Sequence, residues 1–367
     1  MTKKRIGFID AMRGMTMFLV VVAHVMTFSL GINAEKSVLG SVLITFRMPV
    51  FFLISGFVSY KVVEKYSSSF YFKTLWKKFL ILILPTIVFF ALLYIARKQN
   101  PITTFLANGF VEYWFMLVLF EIFLIYLTLN YLCQVLKLNE KFVDATLLVL
   151  IIVGWYLYFN KSFYINTEFR KVLSVGKLVN YFQYFVLGTL FRKYWSAIYA
   201  FLKKDWVKVA AVIMFIAAIL VIRNAYWNVG NITWYKVLHD VVVRYLGLIV
   251  FFLIFMNRET YFDSDKKFSH LLKFIGERTM DIYLIHYFFL PKNGINNGKF
   301  AATMFNFFET NNNIVLEIAV VTIVSSLIIA VSLGVSQILR QSNFFGHYLF
   351  GAPSLPKADL KEAGTNK

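Results

Sequence analysis

The chain has 367 residues, of which 59% are hydrophobic, 19% aromatic and 16% charged, with a mean hydropathy of +0.66. So little charge excludes an ordinary soluble domain. The formal charge of +19 lies in short segments between apolar stretches, which excludes a continuous basic face for nucleic acid, and the lone Cys133 excludes a disulfide framework or a multi-cysteine metal site.

A membrane-spanning helix needs about 20 mainly apolar residues. Ten stretches qualify or nearly do: 9–30, 40–60, 78–97, 113–133, 143–160, 178–192, 206–223, 239–256, 274–291 and 313–339. The first follows Lys3, Lys4 and Arg5 but has no small-residue cleavage site, so a retained helix is expected rather than a signal peptide. It holds Asp10, Arg13 and His24. Arg13 and His24 are eleven residues apart, which at about 100° per residue is three turns plus roughly 20°. Both therefore point the same way, about 16 Å apart along the axis. Asp10 lies one turn before Arg13, placed to pair with it. Charge inside a bilayer is costly and marks functional candidates. Arg13 has the fork that binds phosphate, and His24 is the natural base at neutral pH.

The second stretch contains Arg47, Pro49 and Gly56. Pro49 removes a backbone donor and Gly56 permits close helix packing. Arg47 either snorkels to the headgroups or binds substrate groups in a cavity. Before the third stretch stand Lys73, Lys77 and Lys78, a cluster that ordinarily serves topology and anionic lipid. The fourth opens on Glu112-Tyr113-Trp114-Phe115 with Glu121 deeper, and the ninth places His286 at a depth similar to His24. Structural and functional readings of His286 remain open.

With a cytoplasmic N-terminus, about twice as many Lys and Arg fall inside as outside, the inside set including Lys61, Lys65, Lys137 and Lys141. Both termini are then expected to be cytoplasmic. The expected architecture is all-α: a polytopic integral membrane protein of about ten transmembrane helices, with no soluble catalytic domain. Residues 1–345 form the membrane domain and 346–367 a short cytoplasmic tail. There is no phosphate-binding Gly-rich loop, no His-Glu-x-x-His and no Gly-x-Ser-x-Gly, and His239, His270 and His347 lack metal-ligand spacing, so no metal is proposed.

Four landmarks together resemble the acyltransferase 3 family of membrane acyltransferases that modify sugars. They are Asp10 and Arg13 ahead of His24; the run Phe46-Arg-Met-Pro-Val-Phe-Phe-Leu-Ile-Ser-Gly-Phe57; Tyr113-Trp114-Phe115; and Ile282-Tyr-Leu-Ile-His286. Where the family commonly carries an Arg-rich segment before the third helix, this chain has lysines, which keep the charge but not the bidentate fork. The resemblance implies O-acyl transfer in the plasma (inner) membrane, most simply O-acetylation. The donor is a cytoplasmic acyl-coenzyme A, commonly acetyl-CoA, used as co-substrate with no bound cofactor. The acceptor is a hydroxyl of a sugar, glycolipid or surface polysaccharide. On this reading Asp10, Arg13 and His24 are catalytic, and Arg13 with Lys73, Lys77 and Lys78 binds the donor. Arg47, Trp114, Glu121 and His286 then serve the acceptor. The rival reading is a polysaccharide or small-solute transporter or flippase using the same buried charges.

Overall fold

The computed structural model describes residues 6–30, 38–60, 67–159, 171–228, 233–291 and 313–351, with the isolated positions 303 and 307. Lys3, Lys4, Arg5, Lys61, Lys65 and residues 352–367 lie outside the described residues, as does the side chain of His239.

The described residues are all-helical, without a strand. The helices are α1 (Gly7–His24), α2 (Val38–Ser59), α3 (Ser68–Ala96), α4 (Pro101–Asn108), α5 (Trp114–Val135), α6 (Glu140–Phe159), α7 (Val175–Lys193) and α8 (Trp195–Leu202). After them come α9 (Asp205–Asn228), α10 (Thr233–Met256), α11 (Glu259–Phe262), α12 (Lys267–Glu277), α13 (Thr279–Ile285), α14 (Ile314–Leu339) and α15 (Asn343–Phe350). Local chemistry sets several starts. Ser67 caps α3 by accepting from the Phe70 amide, Asn100 caps α4 with Pro101 at its first position, and Asn313 caps α14. Pro49 and Pro85 sit inside continuous helices, which membrane helices tolerate when neighbours satisfy the freed backbone groups.

Among the described residues, four helical segments are long and apolar enough to cross a membrane: Gly7–Ser29, Ser68–Ala96, Trp114–Val135 and Ile314–Leu339, with shorter apolar helices at Thr45–Ser59 and Val241–Met256. Their outward faces carry exposed Ile87, Leu92, Ile95, Leu327 and Ile338. Such a surface suits lipid and not water. Two sequence expectations change here. The third helix begins at Ser68, so Lys73, Lys77 and Lys78 lie within it rather than ahead of it. The stretch 274–291 is not one helix. It breaks at Arg278 (φ −101°, ψ 15°), where Thr279 turns its hydroxyl back onto the Gly276 carbonyl, and it ends in a 3-10 turn over His286–Phe288.

Two glycine crossings hold the centre together. A Cβ on Gly14 would overlap the Leu272 carbonyl and one on Gly276 the Asp10 carbonyl, so α1 and α12 meet backbone to backbone. Gly56 and Gly188 make the same kind of crossing between α2 and α7. Only a residue without a side chain allows this approach. The first crossing fixes α13 beside α1, and it thereby decides which residue of α13 stands at the level of His24.

Candidate active site

His24 is the last residue of regular α1, and a π-helical turn over Val25–Ser29 follows it. Such turns widen the helix and recur at functional sites. Across from it, His286 opens the 3-10 turn after α13 and is fully buried, whereas His24 is half-buried. The two rings lie parallel within 6°, and His24 Nδ1 stands 2.9 Å from His286 Nε2.

The surrounding bonds assign the protons. His286 Nδ1 lies 2.9 Å from the Ile282 carbonyl, which can only accept, so Nδ1 carries the hydrogen. Its Nε2 must then accept, and His24 Nδ1 must donate to it. His24 Nε2 is left with a free lone pair. The Tyr287 hydroxyl stands 3.5 Å from that nitrogen, but its hydrogen goes to the Glu112 carbonyl at 2.9 Å, so the lone pair stays open. The arrangement is a directed chain from carbonyl to His286 to His24 that ends in a base.

Tyr283 and Tyr287 both donate to the Glu112 carbonyl at 2.9 Å, and the Tyr113 hydroxyl donates to Leu284 O. The Glu112 side chain accepts from the Tyr94 hydroxyl at 2.7 Å and from Arg97 Nη1 at 2.5 Å. These bonds tie the start of α5 to α13. Glu112, Tyr94, Arg97 and Tyr287 were not singled out by sequence. Their partners lie more than 170 residues apart in the case of the tyrosine bonds, and a Tyr or Glu at a span end looks like an ordinary interfacial residue.

Arg47 stands within electrostatic reach of His24, Tyr181 and Tyr287. Its Nη1 is buried and has no hydrogen-bond partner among the described residues. The guanidinium is thus aimed inward, not out to the headgroups. Trp114 stacks on Tyr181 with centroids 5.3 Å apart, and Tyr181 stacks on Phe52 at 4.9 Å. Lys177 Nζ sits 4.6 Å above the Trp114 ring. Glu121 lies seven residues further along α5, about 10 Å down the axis; its Oε2 is buried without a partner, and no described contact joins it to His24, Arg47 or Trp114. His286, expected among the acceptor residues, is the ring against which His24 is held.

Toward the start of α1, Arg13 Nη1 lies 3.7 Å from Asp10 Oδ1, and about a third of the Arg13 side chain remains accessible. Lys73 and Lys77 are exposed, while Lys78 Nζ lies 3.7 Å over the Phe123 ring, against α5. Cys133 is a buried free thiol.

A family model described as an acyltransferase domain, that of the acyltransferase 3 family, matches residues 6–337, nearly the whole chain. No curated protein and no solved structure gives a match. The matched span runs from the first residue described before α1 almost to the end of α14, so it contains every residue of the site. The chain belongs to the acyltransferase 3 family and is a membrane acyltransferase.

Proposed function

We propose that this acyltransferase moves an acyl group, most simply acetyl, from acyl-coenzyme A in the cytoplasm to a hydroxyl of a sugar or surface polysaccharide. It would do so as a plasma-membrane protein of about ten spans with both termini cytoplasmic. The observation that supports this reading best is the open lone pair on His24 Nε2, fixed by the bond from His24 Nδ1 to His286.

In this mechanism Arg13, held by Asp10, and the lysines at the start of α3 engage the donor's phosphates, Arg13 through its two-pronged geometry and the lysines as point charges. The acceptor enters from the opposite end, where Trp114 offers an aromatic face and Arg47 a cation, with the Glu121 carboxyl deeper. His24 Nε2 takes the proton of the acceptor hydroxyl as that oxygen bonds to the thioester carbonyl carbon. The tetrahedral intermediate then collapses, the carbon–sulfur bond breaks, and the thiolate leaves with the proton that His24 held. An ester and the free thiol of coenzyme A are the products. His286 serves His24: neutral and accepting, it holds the ring's orientation and stabilises the imidazolium that forms. The α1 geometry gives the reason that donor anchor and base sit on one helix, since three turns separate them along one face.

The test is release of free thiol by the purified protein from acetyl-CoA, with and without a glycan acceptor. Acceptor-dependent release that His24→Ala abolishes is the expected result. Release at the wild-type rate by a folded His24→Ala protein sinks the proposal.

A further inference from the structure

A polar cleft of about 750 Å³ lies between α4, the end of α3 and the start of α7. Its lining includes Tyr94, Gln99, Asn100, Thr103, Asn108 and Lys177. Three of these are already spent on the fold, Tyr94 by donating to Glu112. Asn100 Oδ1 caps α4 and Thr103 Oγ1 donates to the Asn100 carbonyl. Gln99, Asn108 and Lys177 remain to meet a ligand. Glu112, which accepts from the lining residue Tyr94, is paired with Arg97, and no carboxylate among the described residues lines the cleft.

Lys177 is exposed at the cleft and has no carboxylate partner among the described residues. It rests on Trp114, which stacks on Tyr181, and Arg47 lies within electrostatic reach of Tyr181 and of His24. Two stacked aromatic rings thus lie between Lys177, exposed at the cleft, and Arg47, whose buried Nη1 has no hydrogen-bond partner among the described residues. Aromatic faces suit the apolar faces of sugar rings. The buried Arg47 nitrogen is unfavourable without a partner, which a ligand can bring, and Lys177 offers that ligand a second positive charge at the cleft.

We infer that the acceptor is an acidic glycan, whose carboxylate or phosphate groups are met by Lys177 at the cleft and Arg47 beside the base. This rests on the acyltransferase reading for the use of the site, but it concerns binding and is tested apart from catalysis. The protein in nanodiscs is titrated, without acyl-CoA, with three sets of oligosaccharides matched in length: oligogalacturonides, phosphorylated malto-oligosaccharides and neutral malto-oligosaccharides. One or both acidic sets should bind roughly tenfold tighter than the neutral set, the size of a hydrogen bond to a charged group. The preference should fall away in Lys177→Gln, persist in Lys177→Arg and weaken with added salt. Which acidic set wins tells carboxylate from phosphate. Equal binding of neutral oligomers, binding of no set, or a preference untouched by Lys177→Gln overturns the inference. If acidic oligomers bind as expected but none yields free thiol with acetyl-CoA, the inference stands and the enzyme reading falls. If neutral and acidic oligomers are esterified alike, the enzyme reading stands and the inference falls.

Discussion

Helix α13 and the turn after it carry a buried carboxylate and a buried imidazole five positions apart, Asp281 and His286, and their surroundings are opposite in kind. Asp281 is closed. Its Oδ2 accepts from Arg340 Nε at 2.8 Å and from the Ser336 hydroxyl, its Oδ1 accepts from Arg340 Nη2 at 2.9 Å, and Arg278 Nη1 lies 3.5 Å away. Arg340 also reaches the Phe350 carbonyl and lies over the Phe350 ring, so the cluster fastens α15 to the end of α14. His286 instead belongs to a chain that passes its polarity on to His24 and stops at an unused lone pair. A polar network whose members are all satisfied rigidifies a fold. One that ends in an unused acceptor leaves a lone pair to meet a substrate, as the proposed mechanism requires. The comparison separates architecture from chemistry among residues that a composition-based search for buried charge treats alike.

The largest effect expected is the loss of acyl transfer in His24→Ala, roughly 10²–10⁴-fold as for removal of a positioned base. The thiol-release rate measures it, alongside an unchanged elution profile that shows the protein folded. At the closed cluster, Asp281→Asn leaves the half-buried Arg340 without its counter-charge and should destabilise by up to about 3 kcal/mol, less than for a fully buried pair. Thermal unfolding in detergent reads that loss, and the protein that survives should keep its KM for both substrates. A stable Asp281→Asn protein that is catalytically dead would erase the distinction between the two regions.

His286→Phe sharpens the comparison from the other side. It strands the His24 Nδ1 hydrogen, at about 1–3 kcal/mol, and frees the tautomer. A fall in kcat of roughly tenfold to hundredfold follows from that energy, with KM little changed. A rise in KM for the acceptor alone would return His286 to the acceptor side. Tyr287→Phe removes one bond to the Glu112 carbonyl and should cost about 1 kcal/mol of stability and only a few-fold in rate. The smallest effect lies outside the spans, where Glu259 accepts hydrogen bonds from Tyr199 and Lys203. The Tyr199 hydroxyl, more than Lys203, holds the Glu259 carboxyl below its ordinary value. That contribution is complete above the unfolded carboxyl's pKa and is lost as pH falls through the lowered one. Tyr199→Phe should therefore shrink the drop in melting temperature on acidification, and an unchanged acid limb would show that the bond adds nothing.

Much of the helix order was legible because spanning helices must be long and apolar wherever they occur. Asp10, Arg13 and His24 were legible as well, being residues of one helix whose facing follows from a fixed rotation per residue. The chain alone thus determined the all-helical class, the unusual first helix and, through its motifs, the family. It did not show that residues 274–291 break at Arg278, because the break is held by Thr279 and the turn beyond it is tied through Asp281 to Arg340, which stands just past the end of α14. Nor did it distinguish His286 as the partner of His24 from a residue of the acceptor side. That pairing depends on two glycines, Gly14 and Gly276, bringing separate segments to backbone contact. Contact across 262 residues of chain is set by packing, and the side-chain pattern of either helix alone carries no record of it.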